Sequence, residues 1–425
     1  MQLFRFINYV NPGTFRDIFR SLKYKNFRYY FVGQGISMLG TWVQNVAMGW
    51  LVFRLTGSAL LLGSVVFALQ FPSLLITPFA GILVDRFDRR KVLIVLQVLP
   101  MITSFILAAL VLFEKITVGH ILVLAIVNGV ILAFDTPFRQ AFVPDLVTKP
   151  EDLGNAIALN SSQYNLARFI GPPIGGFLIV LFVEGWCFFI NGLSFAASLV
   201  ALLVIRTKLV RRNTSKASIL AQLLEGIKYS WNFKPIRHLL RLVGLGGFFG
   251  LPFQALLPVF AADVLQGDAR MLGFLTGSLG SGAFAGALFL ASQKNLLRIP
   301  ALAFRTSLIF ALGLSVFALS SCKILSMASL VLVGFGMIVF FNATNTLIQS
   351  LADEDKRGRV VSLYTLSFLG VTSLGSLMAG AVADYIGVPL TVLAFSTVCI
   401  VSSLLFGQKA RLLIRNLAVK LRGKD

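Results

Sequence analysis

Arg168 lies in an apolar run near 154–182 that is long enough to cross a bilayer. A cation there costs at least roughly 2.5–3.5 kcal/mol unless something answers its charge. Asn160, Tyr164 and Arg168 recur at i, i+4 and i+8, forming one polar stripe on an otherwise apolar helix. At about 1.5 Å per residue, Arg168 is roughly 20 Å from the start of its span, near mid-membrane. A stripe of this kind is expected to face water, where a guanidinium can hold an anion through charge-assisted hydrogen bonds. Other spans offer neutral polar residues for the same cavity: Gln34, Thr41 and Asn45 on one face of the first, Gln254 in the seventh, and Asn342, Asn345 and Gln349 in the tenth. Two readings of Arg168 stand side by side, a ligand-binding cation and an internal structural pair.

No Asp or Glu occupies the middle of any span. Asp135, within a turn or two of the end of the fourth, is the candidate proton carrier; the competing reading pairs it structurally with Arg139 or with the loop at 81–91. Direct pairing with Arg168 would need Pro137 to bend the helix or span five to begin later than residue 154. Enzyme chemistry has no foothold, because His120 and His238 are far apart and no nucleophile–base constellation accompanies them. Cys187 and Cys399 fall in apolar spans and Cys322 at the edge of one, so no metal, cofactor or disulfide framework is expected. No G-x-x-x-x-G-K-[ST] occurs, which argues against ATP as the driving force.

The elements that must position these residues are membrane helices. The 425 residues are 57% hydrophobic and 13% charged, with mean hydropathy +0.84, whereas a soluble domain carries about one quarter charged residues. Runs of about 20 apolar residues or more fall near 29–53, 59–84, 92–113, 118–138, 154–182, 186–205, 236–262, 271–292, 300–320, 324–350, 360–383 and 387–407. The expected fold class is all-α, with twelve transmembrane helices in two pseudo-symmetric halves of six. A net charge of +21 raises the question of nucleic acid, and the distribution of the charge answers it. With the N-terminus placed inside, 33 of the 38 Lys and Arg fall on that side, Arg54, Lys115, Arg270 and Lys323 on the other, and Arg168 within a span. That is the positive-inside pattern; it puts both termini in the cytoplasm and removes the need for a phosphate partner. Arg5, Arg16, Arg20, Lys23, Lys25 and Arg28 punctuate the start, and the first apolar run continues as a full span, so no cleaved signal is expected.

The chain divides into an N-terminal segment 1–28, a half at 29–205, a linker at 206–235, a second half at 236–407 and a basic tail at 408–425. The linker gathers Arg206, Lys208, Arg211, Arg212, Lys216, Lys228 and Lys234, while Ile219, Leu220, Leu223, Leu224 and Ile227 recur at helical spacing, as in an amphipathic helix on a membrane surface. Weak self-similarity joins the halves. Phe134-Asp135-Thr136-Pro137 matches Phe341-Asn342-Ala343-Thr344 at an offset of 207, and Gly171 to Gly176 faces Gly375 to Gly380 at an offset of 204. Duplicated halves with cargo held between them near the midplane are a transporter pattern.

Three motifs point further. Gly81, Asp85, Arg86, Arg89, Arg90 and Lys91 follow the spacing G-x-x-x-D-R-x-G-R-R-[RK] between the second and third spans, with Asp88 in place of the motif's glycine. Gly171-Pro172-Pro173-Ile174-Gly175-Gly176 gives a kinked, side-chain-poor helix face on which another helix can pack closely. The third comprises two separate segments: Asp135 through Arg139, Gln140 and Pro144 to Val147, with Asn155, Ala156 and Asn160 after it, between spans four and five, and Arg357-Gly358-Arg359-Val360-Val361-Ser362-Leu363-Tyr364 at the entry to span eleven. On these residues the chain resembles the major facilitator superfamily, and within it the drug:proton antiporter-3 branch, which holds enterobactin-type siderophore exporters and macrolide efflux pumps. The resemblance runs from about Ser21 to Gly407.

What the resemblance implies is a monomeric, proton-linked, alternating-access exporter of a small molecule across the bacterial inner membrane. It makes the Gly81–Lys91 loop a gate, with Asp85 set against the start of span eleven near Gly358, and the Gly171–Gly176 segment an antiporter motif. A cavity with Arg168 and no acidic residue favours anionic cargo such as a siderophore over cationic drugs. Drug or macrolide efflux, or uptake of an anionic siderophore, are the alternatives; a non-transporting receptor and a lipid-modifying enzyme fit less of the pattern.

Overall fold

The computed structural model describes residues 19–84, 86–206, 219–293, 295–353 and 356–422. Asp85 of the loop motif lies outside the described residues, as do most of the N-terminal segment and the linker stretch 207–218. Among the described residues the secondary structure is helical, with no strand. Twelve helices are long and apolar enough to cross a membrane, and the chain is a multi-pass membrane protein. Apolar surroundings leave a backbone no partner but itself, so each span closes its own hydrogen bonds as helix.

The first six are α1 (Lys25–Thr56), α2 (Ala59–Leu83), α3 (Arg89–Leu112), α4 (Val118–Phe142), α5 (Pro150–Phe182) and α6 (Glu184–Val204). A linker helix, Ile219–Asn232, precedes the second six. These are α7 (Lys234–Val264), α8 (Ala269–Ala291), α9 (Ile299–Leu319), α10 (Lys323–Leu351), α11 (Arg357–Ile386) and α12, which continues as helix from Val388 to Arg422. Span α7 contains π-turns at Gly246–Gly250 and Phe260–Val264, and α11 contains one at Leu366–Gly370.

Side-chain caps set several starts. Ser58 accepts from the Leu61 amide, Thr117 from His120, and Asp268 from Arg270. Asp88, the departure from the loop motif, is the N-cap of α3: its carboxylate accepts from the Arg90 and Lys91 amides at 3.0 and 3.2 Å. The substitution thus starts the helix with an acid at its positive end.

Within the first six helices α1 packs on α5 and α6, α3 on α6, and α2 on α4; within the second, α8 and α9 pack on α10, and α9 on α12. The most extensive contacts between the halves are α5 with α8 and α2 with α11, with smaller ones from α7 to α1 and α2. Glycine makes both approaches possible. A Cβ on Gly176 of α5 would lie 2.6 Å from the Ala269 carbonyl oxygen at the start of α8, and one on Gly380 of α11 would lie 2.9 Å from Leu60 Cα at the start of α2. The same internal symmetry appears in the backbone. Val183 joins α5 to α6 at φ 80°, ψ 160°, and Gly387 joins α11 to α12 at φ 85°, ψ 155°, 204 positions later.

Candidate functional site

The α1, α5 and α7 helices surround the mid-span cation. Arg168 on α5 is 8% exposed, and its guanidinium carbon stands 5.6 Å from the centroid of the Trp42 ring on α1. Its Nη2 donates to Gln254 Oε1 on α7 across a long 3.4 Å. No Asp or Glu among the described residues lies within ion-pair distance of it. A cation–π contact is worth about 0.5–2 kcal/mol and one long hydrogen bond to a neutral amide adds little, so the charge is answered only in part. Guanidinium carries five donors, which leaves most of the fork available to an anionic group.

Trp42 is seated by the Gly171 segment. A Cβ on Gly171 would meet Trp42 Cβ at 2.6 Å, so glycine there lets α1 press its indole over Arg168. Tyr164, one turn away on α5, is 48% exposed and stands edge-on to the same indole at 5.8 Å. Gln254 Nε2 lies 4.0 Å from Met337 Sδ on α10, so α10 also reaches the site. Trp42 and Met337 are not legible as site residues in the sequence, where each reads as one more apolar packing residue. The pairing of Gly171 with an aromatic on a neighbouring helix is the signal that could have singled out Trp42.

The other sequence-predicted residues divide between levels. Asn160 has a buried Oδ1 with no hydrogen-bond partner. Thr41 bonds back to its own helix at Ser37 O, Asn45 and Asn342 are exposed, and Gln349 donates to Asn345 Oδ1 at 3.2 Å. Gln34 is 4% exposed and belongs to a different cluster. There Arg139 grips Asp135 with two bonds, Nε to Oδ2 at 2.8 Å and Nη2 to Oδ1 at 2.7 Å, and also donates to Gln34 Oε1. Gln97 donates to Asp135 at 3.2 Å and Ser198 to Gln34 at 3.4 Å. The fold therefore brings Asp135 to Arg139 and the side chains of α1, α3 and α6, and keeps it away from Arg168.

The loop arginines bond inside the first six helices. Arg89 Nη1 meets Asp145 Oδ2 at 2.9 Å, and Arg90 donates to the Leu202 and Leu203 carbonyls at 2.7 Å each, at the end of α6. Arg86 and Lys91 are exposed. Gly81 lies in the last turn of α2. A Cβ on Gly358 would find open space, while its neighbours Lys356 and Arg359 pair with Glu225 of the linker helix.

The remaining motif glycines face two neighbours. Gly175 faces the Val43 backbone of α1, where a Cβ would lie 3.1 Å from the carbonyl oxygen, and Gly176 faces α8. Across that second interface a Cβ on Gly273 would lie 2.7 Å from the Pro172 carbonyl oxygen, and one on Gly277 2.7 Å from Pro173 Cγ. The segment is thus a two-sided packing surface, and it sets both the Trp42 platform and the contact between halves.

A family model described as "Transmembrane secretion effector" matches residues 17–418. The Staphyloferrin A transporter of Staphylococcus aureus is 24% identical over 378 residues, covering 88% of this chain and 94% of that one. The Multidrug efflux pump Tap of Mycolicibacterium fortuitum is 27% identical over 367 residues, covering 84% and 89%. Among solved structures, the nucleoside transporter NupG superposes with a TM-score of 0.72 at 13% identity, covering 90% of this chain and 98% of that one, a likeness of fold.

Proposed function

The chain belongs to the transmembrane secretion effector family of the major facilitator superfamily and is a transporter of small molecules; from this we propose that its cargo is an anion of the siderophore type, exported from the cytoplasm in exchange for protons. The observation that carries the reading is Arg168, a buried mid-span cation answered by an indole face and one long hydrogen bond. Cargo bearing a carboxylate would complete the fork, and the gain is large because the site is already desolvated. The relative named for staphyloferrin A is consistent with this cargo class.

Both termini, the loop after α2 and the linker helix are proposed to face the cytoplasm, following the distribution of Lys and Arg. In that orientation the α2–α11 and α5–α8 contacts close the outer end, while the cytoplasmic start of α11 carries the linker helix through the pairing of Lys356 and Arg359 with Glu225. The conformation then reads as inward-facing, with the loop at 81–91 proposed to engage α11 only after the cytoplasmic end has closed. Asp135, paired with Arg139, is the proposed proton-carrying group, and a monomer suffices because one chain supplies both halves of the pathway.

A second reading, drug efflux as in the relative named Tap, is favoured by the aromatic and thioether groups beside the cation: Trp42, Tyr164 and Met337. The test is a binding titration on purified protein with a polycarboxylate siderophore and, separately, a permanently cationic dye. The proposal expects the siderophore to bind and the dye not to displace it. Tight binding of the dye with no binding of the siderophore overturns it in favour of drug efflux.

A further inference from the structure

At the outer end of the bundle a carboxylate from one half caps a helix of the other. Asp384, near the end of α11, accepts a hydrogen bond from the Ala59 amide at 2.8 Å and one from Ser58 Oγ at 2.9 Å, with the Leu60 amide 3.4 Å from its Oδ2. Those groups are the first turn of α2, where unpaired amides and the helix dipole favour negative charge. Just inside the cap, Gly63 and Gly380 hold the two helices at backbone contact: a Cβ on Gly63 would strike the Ser376 carbonyl, and one on Gly380 the Ala59 carbonyl.

Comparison with the symmetry-related pair shows what is unusual. The start of α8 corresponds to the start of α2 at an offset of 210, and α8 carries its own acid: Asp268 accepts from the Arg270 amide at 3.0 Å. The matching position before α2 is Ser58, which offers a neutral hydroxyl to Leu61. Thus α8 keeps its carboxylate cap whatever the other half does. By contrast, α2 receives one only while α11 lies against it.

We propose that Asp384 is the outer latch of the transport cycle, a positioning residue whose carboxylate stabilises the inward-facing state and must be released each time the outer end opens. This rests on the alternating-access reading above.

The test is a distance measurement by pulsed electron resonance on the purified full chain without cargo. Spin labels are placed at Lys115→Cys and Lys323→Cys, exposed positions at the outer ends of the two halves, in a Cys322→Ser background. Wild type is expected to show a dominant short and a minor long distance. Asp384→Asn should raise the long-to-short ratio about two- to fivefold, the range for losing a carboxylate at an exposed helix start. Ser58→Ala, which removes one donor but no charge, should move it the same way by less, and it decides the matter if Asp384→Asn fails to fold. An unchanged or lowered ratio in the folded variants overturns the latch while leaving alternating access intact. A single outer distance in wild type, unaltered by Asp384→Asn, overturns both.

Discussion

Asp135→Asn is the substitution that separates the two roles open to this acid. In the fold its carboxylate makes two short bonds to Arg139, and both side chains are largely buried, at 16% and 15% exposure. Neutralising Asp135 leaves Arg139 charged and held only by neutral groups, among them Gln34. Breaking a buried pair from one side costs about 3–5 kcal/mol; with this residual exposure and with Gln34 still in place, about 3 kcal/mol is the expected loss. The double substitution Asp135→Asn, Arg139→Gln removes the stranded charge and keeps an amide–amide contact, so it should recover to within about 1 kcal/mol of wild type. Denaturant titration in detergent, followed by tryptophan fluorescence, reads both. A stable Asp135→Asn protein whose transport has lost its dependence on pH would refute the structural reasoning and assign Asp135 to proton transfer alone.

Three further outcomes follow from the packing and the charges. Gly176→Leu puts a side chain against the Ala269 carbonyl, a backbone atom that cannot yield; the protein should insert and remain monodisperse while efflux falls at least tenfold, and normal efflux would remove the closure role of that face. Val183→Gly relieves a conformation reserved for glycine, held without strain at Gly387; thermal unfolding should report a gain of roughly 1–3 kcal/mol, less a fraction for added chain entropy. The hydrogen bond from Lys356, with Arg359 beside it, holds the Glu225 carboxyl below its ordinary value of 4.5. A depressed acid contributes stability above its ordinary value and loses it as pH falls through the depressed one. Protection of the linker-helix amides, corrected for the intrinsic exchange rate, should therefore be unchanged from pH 7 to about 5 and fall below that, and Glu225→Gln should show the lower protection at neutral pH and converge with wild type in acid.

Much of this architecture is legible from residue type and spacing, because a membrane chain must satisfy its backbone within each span and hydropathy then marks the spans directly. The ends are less so: α5 begins at Pro150, a turn before hydropathy rises, and α12 runs on to Arg422 through a polar segment. Arg168 is conspicuous because a lone mid-span cation is costly, whereas its platform Trp42 is indistinguishable from packing until Gly171 is seen against it. The stripe Gln34, Thr41, Asn45 shows where one-dimensional reading stops. These residues share a face, but the first and last are eleven positions apart, roughly 16 Å along the axis. Gln34 therefore serves the Arg139 level, while Trp42 serves Arg168. Asp384 escapes notice for a related reason, since its partner is a helix start more than three hundred residues away.

The central claim is that Arg168 holds an anionic cargo. It is tested most directly in cells lacking this protein, by identifying the small molecules that accumulate and restoring either wild type or Arg168→Gln at equal membrane abundance. The accumulating species should be anionic, cleared by wild type and retained with Arg168→Gln. On the purified variant its affinity should fall about ten- to a hundredfold, the loss expected for a charge-assisted hydrogen bond. Accumulation of a cationic or neutral molecule, or clearance by Arg168→Gln at the wild-type rate, would contradict it.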